Sequence, residues 1–319
     1  MQSIGTPILV NHHPETPRGH FRSIIRHPAF YNGKKEELRY DAQGHLSPGA
    51  LPMNNLQRYQ GWALITGASS GIGREFARQI AAEGVNCVLV ARRRTRLDEL
   101  AEELTAKNGV LCRVMAIDLA QDGAPEHIFD ATRDIPIGLL VNNAGFGAGG
   151  RFETAPKDRL SEMVKLNCDV VVRLTHLYLP QMLDRKCGGI VIVASVLGVI
   201  PTPYDVVYGA TKAFDLSFAE ALWAELRGTG VDVTALCPGG TNTEFLTSQG
   251  YNETRLARKS KIFADADRIA AIALRRLGKR LSCGPIDFAG VSFLRRFLTR
   301  KWTALIVERV MRRFYDIKK

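Results

Sequence analysis

The sequence predicts an α/β fold in which a doubly wound, mainly parallel sheet is covered by helices on both faces. Three observations carry that expectation. From Trp62 to about residue 240, short apolar runs alternate with helix-like segments, the pattern of strands buried on both faces and linked by helical crossovers. A glycine-rich turn, Gly67-Ala68-Ser69-Ser70-Gly71-Ile72-Gly73, lies between the first such run and the first helix. Glycines there let the backbone approach a pyrophosphate, which sits against the free N–H groups of the helix N-terminus. No composition break between residues 61 and 284 marks a second domain.

Residues 1–60 come first and are rich in Pro, His, Gly and Asn. They read as a partly irregular arm with turn signals at Tyr31-Asn32-Gly33 and Tyr40–His45. His12 and His13 have no carboxylate or cysteine at ligand spacing, and no metal site is expected. The first strand is Trp62–Thr66, followed by the glycine turn and a helix over Arg74–Ala82. The second strand, Asn86–Ala91, runs into Arg92-Arg93-Arg94. An acidic residue at that point would hold the ribose 2′-OH of NAD, whereas a guanidinium suits a 2′-phosphate. The sequence therefore favours NADP(H) over NAD(H), with Arg92 as the leading contact and Arg74 as a second candidate. The alternative is a solvated basic start to the next helix, at about 95–107.

Strand three, Arg113–Ile117, ends at Asp118-Leu119, where a carboxylate can meet an adenine amino group or simply hold a turn. Strand four, Ile137–Val141, leads into Asn142-Asn143-Ala144-Gly145 at a strand's C-terminal end, where such sheets bind ligands. Two helices follow, at about 156–166 and 168–184, with Asn167 at their junction as a water holder or a polar kink. Strand five, Ile190–Ala194, ends in Ser195, and the next helix carries Tyr208 and Lys212 and runs to about Leu226. Four residues apart, these two lie on one helix face. The ammonium can then stabilise a phenolate whose unperturbed pKa of ~10 makes it a poor catalyst at neutral pH. Strand six, Val231–Leu236, meets Cys237-Pro238-Gly239-Gly240-Thr241-Asn242-Thr243. That turn can close over a nicotinamide, with backbone groups on the carboxamide and a threonine on a phosphate.

The net charge of +11 is concentrated at the ends: +7 in residues 295–319, +3 in residues 1–60 and +1 elsewhere. A nearly neutral body with no recognition motif argues against nucleic acid as a partner. The six cysteines (87, 112, 168, 187, 237 and 283) show no metal spacing and read as reduced thiols of a cytoplasmic protein. No apolar run is long enough to span a bilayer.

Thr66-Gly67-x-x-x-Gly71-x-Gly73, Asn142-Asn143-Ala144-Gly145, Asn167, Ser195, Tyr208-x-x-x-Lys212 and Pro238-Gly239 occur in order at suitable spacings. Together they resemble the short-chain dehydrogenase/reductase family over about residues 61–284. The resemblance implies a seven-stranded Rossmann fold and hydride transfer between NADP(H) and a carbonyl/alcohol pair. It implies that Tyr208 is the general acid or base, that Lys212 lowers its pKa and binds the nicotinamide ribose, that Ser195 hydrogen-bonds the substrate oxygen, and that Asn167 holds a relay water. The expected cofactor-binding set is Gly67, Ser69, Ser70, Gly71, Ile72, Gly73, Arg92, Asp118, Leu119, Asn143, Ala144, Gly145, Tyr208, Lys212, Pro238, Gly239, Thr241 and Thr243. The arm and the ending Leu281-Ser282-Cys283-Gly284-Pro285 depart from the usual pattern, and that ending looks more like a subgroup of bacterial and membrane-associated NADP-dependent ketone/acyl reductases. A homo-oligomer is a further expectation.

The substrate lid is expected between Thr243 and about Asp265, where Phe245, Leu246, Tyr251 and Ile262 suit an apolar carbonyl substrate and the basic run 255–261 suits an anionic group on it. Residues 285–319 form a basic tail. Leu294, Leu298, Trp302, Leu305, Val310 and Phe314 fall at mostly helical spacing over residues 288–315. Such a helix can pack on its own domain, meet a second subunit or lie peripherally on an anionic membrane. The competing function class is a catalytically silent nucleotide sensor or scaffold docking through this tail.

Overall fold

The computed structural model describes residues 55–248, 263–285, 288, 290–292, 297–315 and 317, together with two strands near the N-terminus. The chain divides between Pro52 and Met53 into two compact units. In the first, β1 (His27–Tyr31) pairs antiparallel with β2 (Lys34–Leu38), with Tyr31 opposite Lys34. The Asn32-Gly33 dipeptide between them lies outside the described residues, and a two-residue Asn-Gly link is the strongest short-range hairpin signal.

The second unit is built on β3 (Trp62–Thr66), β4 (Cys87–Ala91), β5 (Cys112–Ala116), β6 (Ile137–Asn142), β7 (Gly188–Val193), β8 (Val231–Leu236) and β9 (Ser282–Cys283). Their order is β5-β4-β3-β6-β7-β8-β9 and every neighbouring pair is parallel. The sheet is thus wholly rather than mainly parallel. Parallel neighbours need crossovers of a dozen or more residues, which are supplied by α1 (Gly71–Ala82), α2 (Arg94–Asn108), α3 (Ala124–Asp130), α4 (Lys157–Val164), α5 (Val170–Asp184), α6 (Val206–Glu225), α7 (Glu244–Ser248) and α8 (Ala266–Arg276).

Successive strand side chains point to opposite faces, and the two cores divide accordingly. Ala63 and Ile65 of β3 and Leu89 of β4 join Phe76, Ile80, Leu97, Leu100 and Leu274 from α1, α2 and α8. Leu64 of β3 and Val88 and Val90 of β4 join Ile128, Leu174, Tyr178 and Leu222 from α3, α5 and α6. Both sets of strand positions must be apolar, which is why these strands read as continuous apolar runs.

Several elements differ from expectation. Leu56 and Tyr59, which the sequence places in the arm, are buried in the core, and the Tyr59 hydroxyl donates to Asp232 Oδ2 at 3.0 Å. Helix α1 starts at Gly71 rather than Arg74. α3 and α8 had no sequence-based counterpart. The two helices flanking Asn167 form one path, joined by a π turn over Lys165–Asp169. Such a turn carries one extra residue and is frequent at functional sites.

The tail forms α9 (Arg300–Phe314), capped by Thr299, whose Oγ1 accepts from Trp302 N. Thr303 and Met311 are buried on its inner side, while Trp302, Leu305, Ile306 and Val310 are exposed. Glu308 Oε1 accepts from the Tyr204 hydroxyl at 2.9 Å, and the Tyr315 hydroxyl donates to Asp205 Oδ2 at 2.6 Å. The helix therefore packs on its own domain through one face and leaves the other bare. Leu294 lies outside the described residues.

Candidate active site

The strand order turns back at β3, which has β4 on one side and β6 on the other. In open α/β sheets the crevice at such a point, beyond the carboxyl ends of the strands, is the ligand site. Here it is bounded by the glycine turn after β3 and the Asn142–Gly145 turn after β6. Thr66, the last residue of β3, bolts the two together: its Oγ1 accepts from Asn143 N at 2.9 Å and Ala144 N at 3.0 Å. Asn143 Nδ2 donates to Thr66 O at 2.8 Å.

The glycine turn has the shape a dinucleotide needs. Gly67 has φ +68° and a Cβ there would stand 2.7 Å from Asn143 Nδ2. A Cβ at Gly73 would overlap the Gly67 carbonyl. The path is therefore available only without side chains, and it brings the backbone to the first turn of α1. A cavity of about 550 Å³ opens beside that turn, lined by Ser70, Gly71, Arg74, Thr243, Glu244 and others. These features fit a pyrophosphate at the helix N-terminus. Ile72 is half-buried and packs on the core, Ser69 is buried, and Leu119 is buried in the core on the sheet's other face.

The three arginines after β4 take different roles. Arg92 is exposed. Arg93 turns toward the glycine turn, with Nη2 donating to Ser70 Oγ at 2.7 Å and Nε donating to Ser69 Oγ at 3.2 Å. Arg94 pairs with Asp98 one helical turn away. The structure thus sets Arg93, not Arg92, against the phosphate-binding turn; a period-2 strand end did not reveal which of three adjacent arginines faces it. Glu244, the first residue of α7, accepts from Arg93 Nη1 at 2.7 Å and Arg96 Nη1 at 2.6 Å. The two guanidinium groups hold its carboxyl below the usual range. Asp118 Oδ1 accepts from Ala120 N at 3.0 Å, so one oxygen serves the turn. In the loop after β8, Pro238 O accepts from Val196 N, Gly239 O from Thr241 Oγ1, and Thr241 O from Thr243 Oγ1.

Ser195, Tyr208 and Lys212 converge at the ends of β7 and α6. Ser195 Oγ accepts from Leu197 N at 3.1 Å and also hydrogen-bonds the Tyr208 phenol. Tyr208 is buried and its ring stands 5.5 Å from that of Phe245 on α7. Lys212 is buried too, with Nζ 6.0 Å from the Tyr208 ring centroid. Its ammonium donates to Val193 O at 2.8 Å and Asp215 Oδ2 at 2.9 Å. The expected pull of the lysine on the phenol does not prevail: burial, then the nearby Asp205 carboxylate, push the Tyr208 pKa up, the Ser195 bond alone opposing them and Asp215 adding to the rise. Asn167 is fully buried in the π turn. Its Oδ1 accepts from Phe146 N, and its Nδ2 donates to Phe146 O and Thr211 Oγ1. The side chain clamps the Gly145 loop to α6, and a Cβ at Gly145 would sit 3.0 Å from Asn167 Oδ1.

Sequence reasoning passed over Thr66, Arg93, Asp205, Asp215, Glu244 and Tyr315 as site residues. Asp215 carried a visible signal, an acid three residues past Lys212 on a helix otherwise facing a core. Tyr315 carried none, because its contacts lie 110 residues away at Asp205 and across the face of Gly149. Tyr251, Ile262 and the basic run 255–261 of the expected lid lie outside the described residues. Among the described residues no cluster could hold a metal ion and no helix is long and apolar enough to cross a membrane.

A phosphate-binding glycine turn, a switch-point crevice and a buried Ser–Tyr–Lys cluster define a nicotinamide-dependent oxidoreductase that moves a hydride between cofactor and a carbonyl/alcohol pair. The chain belongs to the short chain dehydrogenase family, whose profile matches residues 61–254. It is 34% identical over 230 residues to a 7beta-hydroxysteroid dehydrogenase of Collinsella aerofaciens, covering 72% of this chain and 88% of that one. It is 39% identical over 236 residues to a very-long-chain 3-oxoacyl-CoA reductase of Neurospora crassa, covering 72% and 69%. Among solved structures, a 7beta-hydroxysteroid dehydrogenase superposes with TM-score 0.74 at 31% identity, over 80% of this chain and 99% of that chain. A short-chain dehydrogenase from Sphingobium yanoikuyae in complex with NADPH superposes with TM-score 0.65 at 31% identity, over 81% and 96%.

Proposed function

We propose that the protein is an NADPH-preferring reductase of ketones on large apolar skeletons, with Tyr208 as the proton donor. The observation that carries this reading is the buried Tyr208 phenol, bonded to Ser195 and kept protonated by burial. A phenol that stays protonated through the neutral range is ready to give its proton to an oxygen that becomes alkoxide. When bound, the nicotinamide supplies the hydride to the carbonyl carbon. Ser195 and Tyr208 hold the carbonyl oxygen, the Tyr208 O–H bond breaks as the alcohol O–H forms, and solvent returns the proton to the phenolate. Lys212, next to Gly145, is placed to meet the nicotinamide ribose. Asn167 ties the Phe146 backbone to Thr211, which occupies its side chain with protein contacts. The named substrates of the two relatives share a large apolar skeleton, and Phe245 over Tyr208 suits one.

NADPH over NADH rests on Arg93 beside Ser69 and Ser70. The 2′-phosphate would take this guanidinium from Glu244. Arg93→Ala is expected to weaken NADPH binding by about 10–100-fold, the value of a charge-assisted hydrogen bond, and to leave NADH nearly unchanged. Glu244→Gln should tighten NADPH a few-fold. Calorimetric titration of both cofactors checks this; equal losses for NADPH and NADH, or an Arg92→Ala effect larger than that of Arg93→Ala, would overturn it.

The bare face of α9 supports a second reading, of a cytoplasmic enzyme held peripherally at a membrane. Trp302, Leu305, Ile306 and Val310 are exposed beside Arg309 and Arg313, an apolar stripe with cations suited to anionic lipid. Full-length protein should sediment with phosphatidylserine vesicles and release as salt rises. Arg309→Glu with Arg313→Glu should abolish this, each basic residue contributing about 1 kcal/mol near the surface. Vesicle-independent behaviour, with a dimer lost on Ile306→Asp, would assign the face to a homo-oligomer instead.

A further inference from the structure

Asp215 has no part in the chemistry described above, yet it is a buried acid in the site. It is 0% exposed on α6. Three residues past Lys212, it lies on the same helix face, and its Oδ2 accepts from the lysine at 2.9 Å. Its Oδ1 has no hydrogen-bond partner among the described residues. A buried carboxylate is unfavourable unless it is paired and its lone pairs are satisfied. A leucine or valine would fill a core-facing helix position without that cost.

We propose that Asp215 is a positioning residue for Lys212: it fixes the ammonium between itself and Val193 and cancels most of the lysine's charge as felt at Tyr208. The inference rests on Tyr208 being the proton donor. At 6.0 Å from the phenol ring, a lone ammonium would act as a full positive charge and favour phenolate. Burial pushes the Asp215 carboxyl up and the Lys212 ammonium holds it down; with Asp215 ionised, the lysine–aspartate pair has no net charge and acts only as a dipole. The phenol therefore keeps its proton until a carbonyl arrives, which biases the site toward reduction. The other charged or titratable groups around the pair are Asp205 before α6, Glu220 on α6, Cys168 in the π turn and Cys237 after β8. The two cysteines stay as neutral thiols because burial raises both. The Asp205 carboxylate also pushes the Tyr208 phenol up and accepts from Tyr315.

The test needs no substrate. With ¹³Cζ-labelled tyrosine, the Tyr208 resonance is assigned by its loss in Tyr208→Phe, and its ionisation is followed by NMR from neutral to alkaline pH. Asp215→Asn leaves the ammonium 6.0 Å from the ring uncompensated and should lower the Tyr208 midpoint by about one pH unit or more, the size expected for a full charge at that range and an effective dielectric constant of ~20. Asp215→Glu, which restores the charge, should bring the midpoint back. Asp215→Leu, an apolar filler that avoids an uncompensated amide, gives the same reading where the asparagine variant does not fold. A midpoint that stays put in a folded Asp215→Asn or Asp215→Leu variant overturns the proposal, even where melting temperature or activity falls. Failure of the underlying reading looks different: Tyr208→Phe would then retain carbonyl-dependent NADPH oxidation.

Discussion

Tyr208→Phe is expected to abolish carbonyl-dependent NADPH oxidation while leaving cofactor binding intact. The substitution removes one oxygen from a buried ring packed against Phe245, so the pocket keeps its volume. What is lost is the phenol O–H that, among the described residues, is the side-chain acid bonded to Ser195. A positioned acid–base group is worth about 10²–10⁴ in rate, and among the described residues no second acid stands in for it. Asp205 is bonded to Tyr315, and Lys212 is bound to Val193 and Asp215. A screen of bulky ketones, steroid ketones and 3-oxoacyl thioesters, followed by NADPH absorbance, supplies the assay, and calorimetry with NADPH supplies the control. Residual turnover within about tenfold of wild type would move the proton donor elsewhere, since the general-acid contribution is larger than that. Loss of turnover together with loss of NADPH binding would point to damage in the pocket. Retained binding with no turnover also rejects the silent-scaffold reading, because a scaffold has no turnover to lose.

Gly73→Val is expected to remove nucleotide binding at a site that contributes no functional group. Any Cβ at Gly73 overlaps the Gly67 carbonyl and falls within 2.5 Å of Asn143 Nδ2. The valine must push the glycine turn away from the Asn143 loop, opening the Thr66–Asn143–Ala144 bolt that holds the crevice together. Overpacking of this kind costs about 1–3 kcal/mol, less than a domain's usual stability of about 5–15 kcal/mol, so the fold survives. The readout is thermal. NADPH at a hundred times its Kd stabilises wild type by about 2.7 kcal/mol, and that upshift in Tm should vanish in the variant. An upshift that persists at the same NADPH concentration would show that the pyrophosphate does not use this turn.

The order of strands and helices could be read from the chain because each strand is buried on both faces. Both alternating sets must then be apolar, as in Ile65 toward α1 and Leu64 toward α5, and such runs stand out. The glycine turn and the Tyr208–Lys212 spacing were legible for a related reason: backbone approach and helix periodicity are local, and local geometry is written in adjacent residues. The helices over 124–130 and 266–276 were not anticipated. The first is short, and the second carries no cap or turn signal that the sequence reading picked out. Leu56 and Tyr59 read as part of an irregular arm because one 3₁₀ turn has no period to detect.

By itself, the sequence determined the doubly wound sheet, the nucleotide turn, the identity of Ser195, Tyr208 and Lys212, and a basic amphipathic tail. Only the tertiary structure decided which arginine faces the phosphate turn, that Glu244 already occupies it, that Lys212 is paired with a buried acid, and that Asn167 is a clamp in a π turn. The same is true of α9, which turns one face to its own domain and leaves the other bare. The physical reason is common to all of them. Charge and hydrogen bonding act through space between residues far apart in the chain, Arg93 with Glu244 and Tyr315 with Asp205. The strength of each depends on burial, which is fixed only when the layers close.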